Sequence, residues 1–218
     1  MPAASTVKVL ISAAMWCAVE EGALDAGRRL TVRETPAPGG GGLLESFDPG
    51  TELTLADLDI LMLAVSDNAA TNALMDVVGL DRVNALGERL GLARTAVRRK
   101  MMDIGAAERG DDNTTSAADM ASLMAALGRA DQIPLRACRR VLHGLGQSHH
   151  TDVIARHLSV PGRVVACKQG LLPSVLHDVA LVEDGRGRVA LAVLSSPPAA
   201  AEGLARLAAR IHAAVTVP

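Results

Sequence analysis

Three short segments carry residue types that together can run acyl transfer: Ser5-Thr6-Val7-Lys8, Ser66-Asp67-Asn68 and Lys168-Gln169-Gly170. A serine hydroxyl is a poor nucleophile until a neighbouring base takes its proton. Lys8 follows Ser5 by one helical turn, so the two share a face and the amine can reach the hydroxyl oxygen. A second cation at Lys168 brought beside it, together with partial desolvation, would lower the proton affinity of Lys8 and suit it to that role. Ser66 adds a second hydroxyl and Asn68 an amide. A helix opening at Ser5 supplies N–H groups and positive potential where an oxyanion would form.

The elements that must hold these groups can be read from periodicity. From Ser5 to about Gly22, the apolar residues Val7, Val9, Leu10, Ala13, Ala14, Cys17 and Ala18 recur at helical spacing. Residues 24–54, with Pro36, Pro38 and the run Gly39 to Gly42, read as loops with short extended pieces. Thr54-Leu55-Ala56-Asp57 is a capping-type entry to a second helix that runs to Ser66. Further helical patterns fall near residues 69–78, 80–91, 116–127 and 133–144. After Pro161 the pattern changes. Arg163 to Lys168, His177 to Val182 and Arg188 to Ser195 predict a meander of three antiparallel strands, with Lys168-Gln169-Gly170 at a strand exit. Ala199 to Val215 closes the chain as an amphipathic helix.

In this order and on these elements, the three segments resemble the motif set of the class A β-lactamases and related penicillin-recognising serine hydrolases. Pro2-Ala3-Ala4 ahead of Ser5, Leu53 to Leu58 leading towards Ser66, Ala69-Ala70-Thr71-Asn72 after Asn68, Asn113-Thr114-Thr115 and the last helix extend the likeness over nearly the whole chain. The resemblance implies an α+β, β-lactamase-like fold in which an antiparallel sheet lobe packs against a helical lobe, with the site in the cleft between them. It implies one catalytic domain over residues 1–218, the helical lobe (about 24–158) being inserted in a sheet lobe of 1–23 and 159–218.

The same resemblance makes Ser5 the acylated nucleophile, Lys8 the general base or proton relay, and Ser66 the group that passes the proton to the leaving nitrogen. Asn68 would hold the substrate's side-chain amide, and Lys168 would bring positive charge to Ser66 and the substrate carboxylate. Gln169 and Gly170 would line the substrate site, and the backbone N–H groups of Ser5 and Leu171 would form the oxyanion hole. The substrate would be a β-lactam or a related amide or ester, handled without a cofactor. Relatives that place a tyrosine in the second segment are excluded, because the chain has no Tyr.

The pattern departs from the family in three places. The glutamate that activates the deacylating water falls, by gapless counting back from Asn113, at Lys100, with Asp103 and Glu108 the nearest acids that follow. A lysine is not a carboxylate base, so slow deacylation or a different acyl acceptor is expected. Gln169 replaces the usual threonine of the third segment. Ser5 stands near the first residue, so the helix and strands that precede the nucleophile in the family are expected to be missing, and a homodimer would be one way to complete the sheet. Two alternatives stay open: a penicillin-binding protein or pseudoenzyme without turnover, and an acyltransferase or D-alanyl peptidase.

Composition narrows the classes. A chain of 218 residues with 49% hydrophobic content can bury a sizeable core, and a formal charge of −2 gives no electrostatic case for nucleic acid or an anionic membrane. No uncharged apolar run of about eighteen residues and no leader pattern is visible. The expected location is therefore cytoplasmic, or periplasmic or secreted if a leader has been removed. Cys17, Cys138 and Cys167 imply no disulfide framework. His149, His150, Asp152 and His157 lack a further ligand cluster nearby, so no metal is expected. The arginines at 94, 98 and 99 with Lys100, and those at 136, 139 and 140, read as solvated faces.

Overall fold

The structure, a computed structural model, describes residues 1–35, 38–40 and 42–216. Pro36 and Gly41, which the sequence reading assigns to a loop, lie outside the described residues. A 3₁₀ turn, Ala4–Val7, runs directly into helix α1 (Lys8–Glu20). Strands β1 (Arg29–Thr31) and β2 (Glu52–Thr54) pair antiparallel across the loop region. Then come α2 (Leu55–Ala64), α3 (Asn68–Val78), α4 (Leu80–Arg89), α5 (Ile104–Glu108), α6 (Ala117–Arg129), α7 (Leu135–Gly146) and α8 (Ile154–Leu158). The chain ends in β3 (Val164–Leu172), β4 (Val175–Asp184), β5 (Gly187–Ser195) and α9 (Ala201–Val215).

Every residue from Lys8 to Ala18 is buried, which fits a helix apolar nearly all round. Accordingly α1 runs through the helical layer and packs against α2, α3, α4 and α7. Helix α2 starts where the sequence says it should: Thr54 accepts from Asp57 N–H, and the Asp57 carboxylate accepts from Thr54 N–H, a reciprocal cap.

The sheet is the expected antiparallel meander, β3-β4-β5, with β3 an edge strand. Strand alternation divides its side chains between two cores. Ala166, Val179 and Leu181 face the helical layer, whereas Cys167, Ala180, Val182 and Leu191 pack under α8 and α9. Lys168 and Gly170, two and four residues after Ala166, therefore lie on the helical side. The strands are longer than the sequence pattern indicates: β3 continues through Lys168-Gln169-Gly170 to Leu172, so the third segment sits inside the strand. The backbone ladder to β4 sustains that extension through Gly170, which weak local propensity alone would end. No helix among the described residues is long and apolar enough to cross a membrane.

Candidate active site

The Ser5–Lys8 segment, the turn between α2 and α3, and the edge strand β3 converge. Ser5 sits half-buried in the 3₁₀ turn, just after Ala4 at φ +48°. Gly170 lies against it. A methyl added there would stand 3.1 Å from Ala4 Cβ, 3.1 Å from Thr6 Cγ2 and 3.2 Å from Ser5 N, so glycine is what lets the strand approach the backbone at Ser5. Leu171 follows with its side chain exposed.

Lys8 is fully buried, and its ammonium end is turned to the second segment. Nζ lies 2.7 Å from Ser66 O, 3.1 Å from Ser66 Oγ and 2.8 Å from Asn68 Oδ1. Carbonyl oxygens only accept, so two of these contacts use amine hydrogens. The Ser66 hydroxyl can receive a third hydrogen or give its own to a neutral amine's lone pair. Among the described residues Ser5 Oγ makes no side-chain hydrogen bond, so the direct Ser5–Lys8 contact expected from helical spacing is not made in this state. Ser66 adopts φ +61°, a left-handed conformation that serine rarely takes, and this directs its carbonyl and hydroxyl to the same amine. Asp67 holds the turn from beneath: one carboxylate oxygen accepts Ala70 N–H to cap α3, and the other accepts Leu44 N–H.

Electrostatics follow from this packing. Burial drives the Lys8 pKa well below the ordinary lysine value, and the positive charge of Lys168 adds to the effect against the opposing pull of Asp67. Lys168 is also fully buried. Burial lowers it to about 8, while Asp178 and Cys167 oppose the shift. Burial raises Asp178 to about 7 against the N–H of Ile154 and the charge of Lys168, and among the described residues its Oδ1 has no hydrogen-bond partner. Cys138 and Cys167 are pushed up to about 11 and 12 by burial, so neither thiol is a nucleophile near neutral pH.

Not every sequence-predicted residue meets this centre. Gln169 is almost fully buried and its Nε2 donates to Asp152 Oδ1 at 3.3 Å, which engages the amide on the α8 side. Asn68 reaches Lys8 with its oxygen and Gly39 O, at 3.5 Å, with its nitrogen. On the loop before α5, Lys100 points to the surface and pairs with Asp76 at 2.7 Å. The next residue, Met101, is clamped by Asn72, whose side chain donates to Met101 O and accepts from Met101 N–H. Asp103 is engaged in capping Ala106 N–H, and Glu108 is exposed. Asn113 accepts from Arg98 N–H and Arg99 N–H and donates to Arg99 O, fixing the other end of that loop. The histidines at 149, 150 and 157 do not assemble. Among the described residues no group of three His, Cys, Asp or Glu could hold a metal. Sequence reasoning missed Asp178, His177 and the Asn72 clamp. A titratable residue inside an otherwise apolar strand run was the available signal for the first two.

No curated protein matches the chain. Among solved structures, a β-lactamase from Sphaerobacter thermophilus superposes with a TM-score of 0.91 at 29% identity, covering 100% of this chain and 85% of that one. PBP-A, in a mutant described as an acyl-enzyme complex with penicillin-G, gives 0.86 at 28% identity over 99% of this chain and 81% of that one. A variant of the class A β-lactamase of the last common ancestor of Gram-negative bacteria, at 22% identity and a TM-score of 0.87, covers 98% of this chain and 84% of that one and shares the fold. The model of the beta-lactamase enzyme family matches residues 1–215, and with the fold and the three converging segments already in place, the chain belongs to that family, whose chemistry is that of serine hydrolases of the β-lactamase type.

Proposed function

We propose that this protein forms an acyl-enzyme at Ser5 with a β-lactam or a related amide or ester. One observation carries the reading: a fully buried lysine of depressed proton affinity, held by Ser66 and Asn68, begins the helix one turn after a half-buried serine. In this reading Lys8 takes the Ser5 hydroxyl proton as Oγ bonds to the substrate carbonyl carbon. The oxyanion is received by the N–H groups of Ser5 and Leu171. As the C–N bond breaks, the proton moves from Lys8 through the Ser66 hydroxyl to the departing nitrogen, leaving the ester on Ser5 and a neutral Lys8. Lys168, cationic below about pH 8, attracts the substrate carboxylate.

Deacylation is slow in this reading. Lys100 is paired at the surface with Asp76, and Asp103 is engaged as a helix cap, so neither offers a free carboxylate for water activation. Intact-protein mass spectrometry after mixing with a penicillin and a chromogenic cephalosporin tests both points. A persistent adduct that Ser5→Ala abolishes is the expected result. Absence of any adduct and any turnover would overturn acylation, and rapid turnover would overturn the slow second step.

A further inference from the structure

The chain ahead of Ser5 is held from two sides. On one, Ala3 N–H donates to Asn113 O, and Thr115 N–H donates to Met1 O. On the other stands His177, fully buried in β4. Its Nδ1 lies 3.2 Å from the backbone N of Ser195, and its Nε2 lies 3.0 Å from Pro2 O. A backbone N–H can only donate and a carbonyl can only accept. Nδ1 is therefore the bare acceptor and Nε2 carries the hydrogen, which it gives to Pro2.

Two further facts give this bond its weight. Across the β3–β4 pair His177 stands opposite Gly170, the residue at which an added Cβ would stand 3.2 Å from Ser5 N. Among the described residues, the His177–Pro2 bond is also the one hydrogen bond that joins residues 1–7 to strands β3, β4 and β5. Ser5 and Leu171 have no covalent reason to keep their N–H groups at a fixed spacing. An oxyanion hole works only when its donors converge about 3 Å from one point, so something must tie the two segments together.

We propose that His177 is a positioning residue for the oxyanion hole: its Nε2–H, bonded to Pro2 O, fixes the segment bearing Ser5 N–H against the strand bearing Leu171 N–H. This rests on the reading that Ser5 is acylated. Two variants divide the imidazole's functions. In His177→Gln the side-chain amide N–H reaches about as far as Nε2 and keeps a donor for Pro2, whereas in His177→Asn the shorter side chain places an oxygen about where Nδ1 was and keeps only the Ser195 bond.

His177→Gln is expected to acylate within about threefold of the wild type, and His177→Asn about ten- to a hundredfold more slowly with little change in the substrate dissociation constant. Hydrogen exchange over residues 1–8 should rise in His177→Asn and stay near wild type in His177→Gln. Equal acylation rates in the two variants, or rates that follow melting temperature alone, would overturn the proposal, as would unchanged exchange in His177→Asn. Wild-type protein that gives no Ser5 adduct sinks the acylation reading instead, and the exchange measurement still decides whether His177 holds the segment.

Discussion

The two ends of α1 each bury an ionisable group, and they do so differently. At the start of the helix Lys8 is surrounded by Ser66 O, Ser66 Oγ and Asn68 Oδ1, with a second buried cation, Lys168, near enough to lower its proton affinity. Beyond the middle of the helix Trp16 Nε1 donates to Asp59 Oδ2 at 2.8 Å, while Asp59 Oδ1 and Ser12 Oγ lack hydrogen-bond partners among the described residues. Burial raises that carboxyl to about 6, against the pull of the hydrogen bond from Trp16. The first arrangement places like charges together, which folding alone disfavours. The second is a single buried carboxyl closing a helix contact. Burial of a charge is therefore not what marks the site. Convergence of three distant segments and an unfavourable like-charge pair does.

The largest expected contrast comes from removing the amine. Lys8→Ala should slow acylation by roughly 10²- to 10⁴-fold, the usual range for losing a general base, as read by the rate of adduct formation. Asp59→Ala, as destabilising as it is, should leave the acylation rate of the folded fraction unchanged. Equal kinetic effects at both positions would erase the distinction.

Next in size is Gly170→Ala. The added methyl forces Ser5 N and the strand apart by a few tenths of an ångström and should cost about tenfold or more in acylation with little change in melting temperature.

The pH profile sharpens the like-charge argument. Acylation needs Lys8 neutral and Lys168 charged, so the rate should rise as Lys8 loses its proton and fall through the Lys168 value of about 8. Asp178→Asn removes the charge that holds Lys168 up, and the alkaline limb should move to lower pH. A limb that stays in place would detach Asp178 from the site.

A last effect concerns stability alone. Asp59 binds its proton more tightly folded, at about 6, than the ordinary 3.8. The stability it contributes is thus fully present below pH 4 and is lost as pH rises through 6. A shift of this size corresponds to about 3 kcal/mol across that window. In Asp59→Asn that slope should vanish, as urea unfolding at pH 4 and pH 7 would show, with acylation untouched.

Local features were the most legible in the sequence. The Thr54–Asp57 cap, the order of the helices and the strand meander all rest on neighbours within a few residues. The three site segments were found because residue type and spacing carry their chemistry. What was missed depends on long-range contact. His177 answers to Pro2 and Ser195, Lys8 turns to Ser66 and Asn68, and Lys100 is drawn out to Asp76 on a separate helix. The helices α5 and α8 have five residues each, too short to display a period. Gln169 was expected beside the substrate from the resemblance of the third segment, and its hydrogen bond to Asp152, seventeen residues earlier, is a contact that the sequence does not display.

Trp16 has one more consequence. It is the single tryptophan of a chain without tyrosine, buried on the same helix that begins with Lys8 and covered by the Arg140 guanidinium 5.1 Å from its ring. Its fluorescence therefore reports the far end of α1 without interference from another strong emitter. A mass shift at Ser5 and the emission of Trp16 give two independent signals from one helix, so that damage to the cleft and loosening of the helical layer can be told apart in a single unlabelled sample.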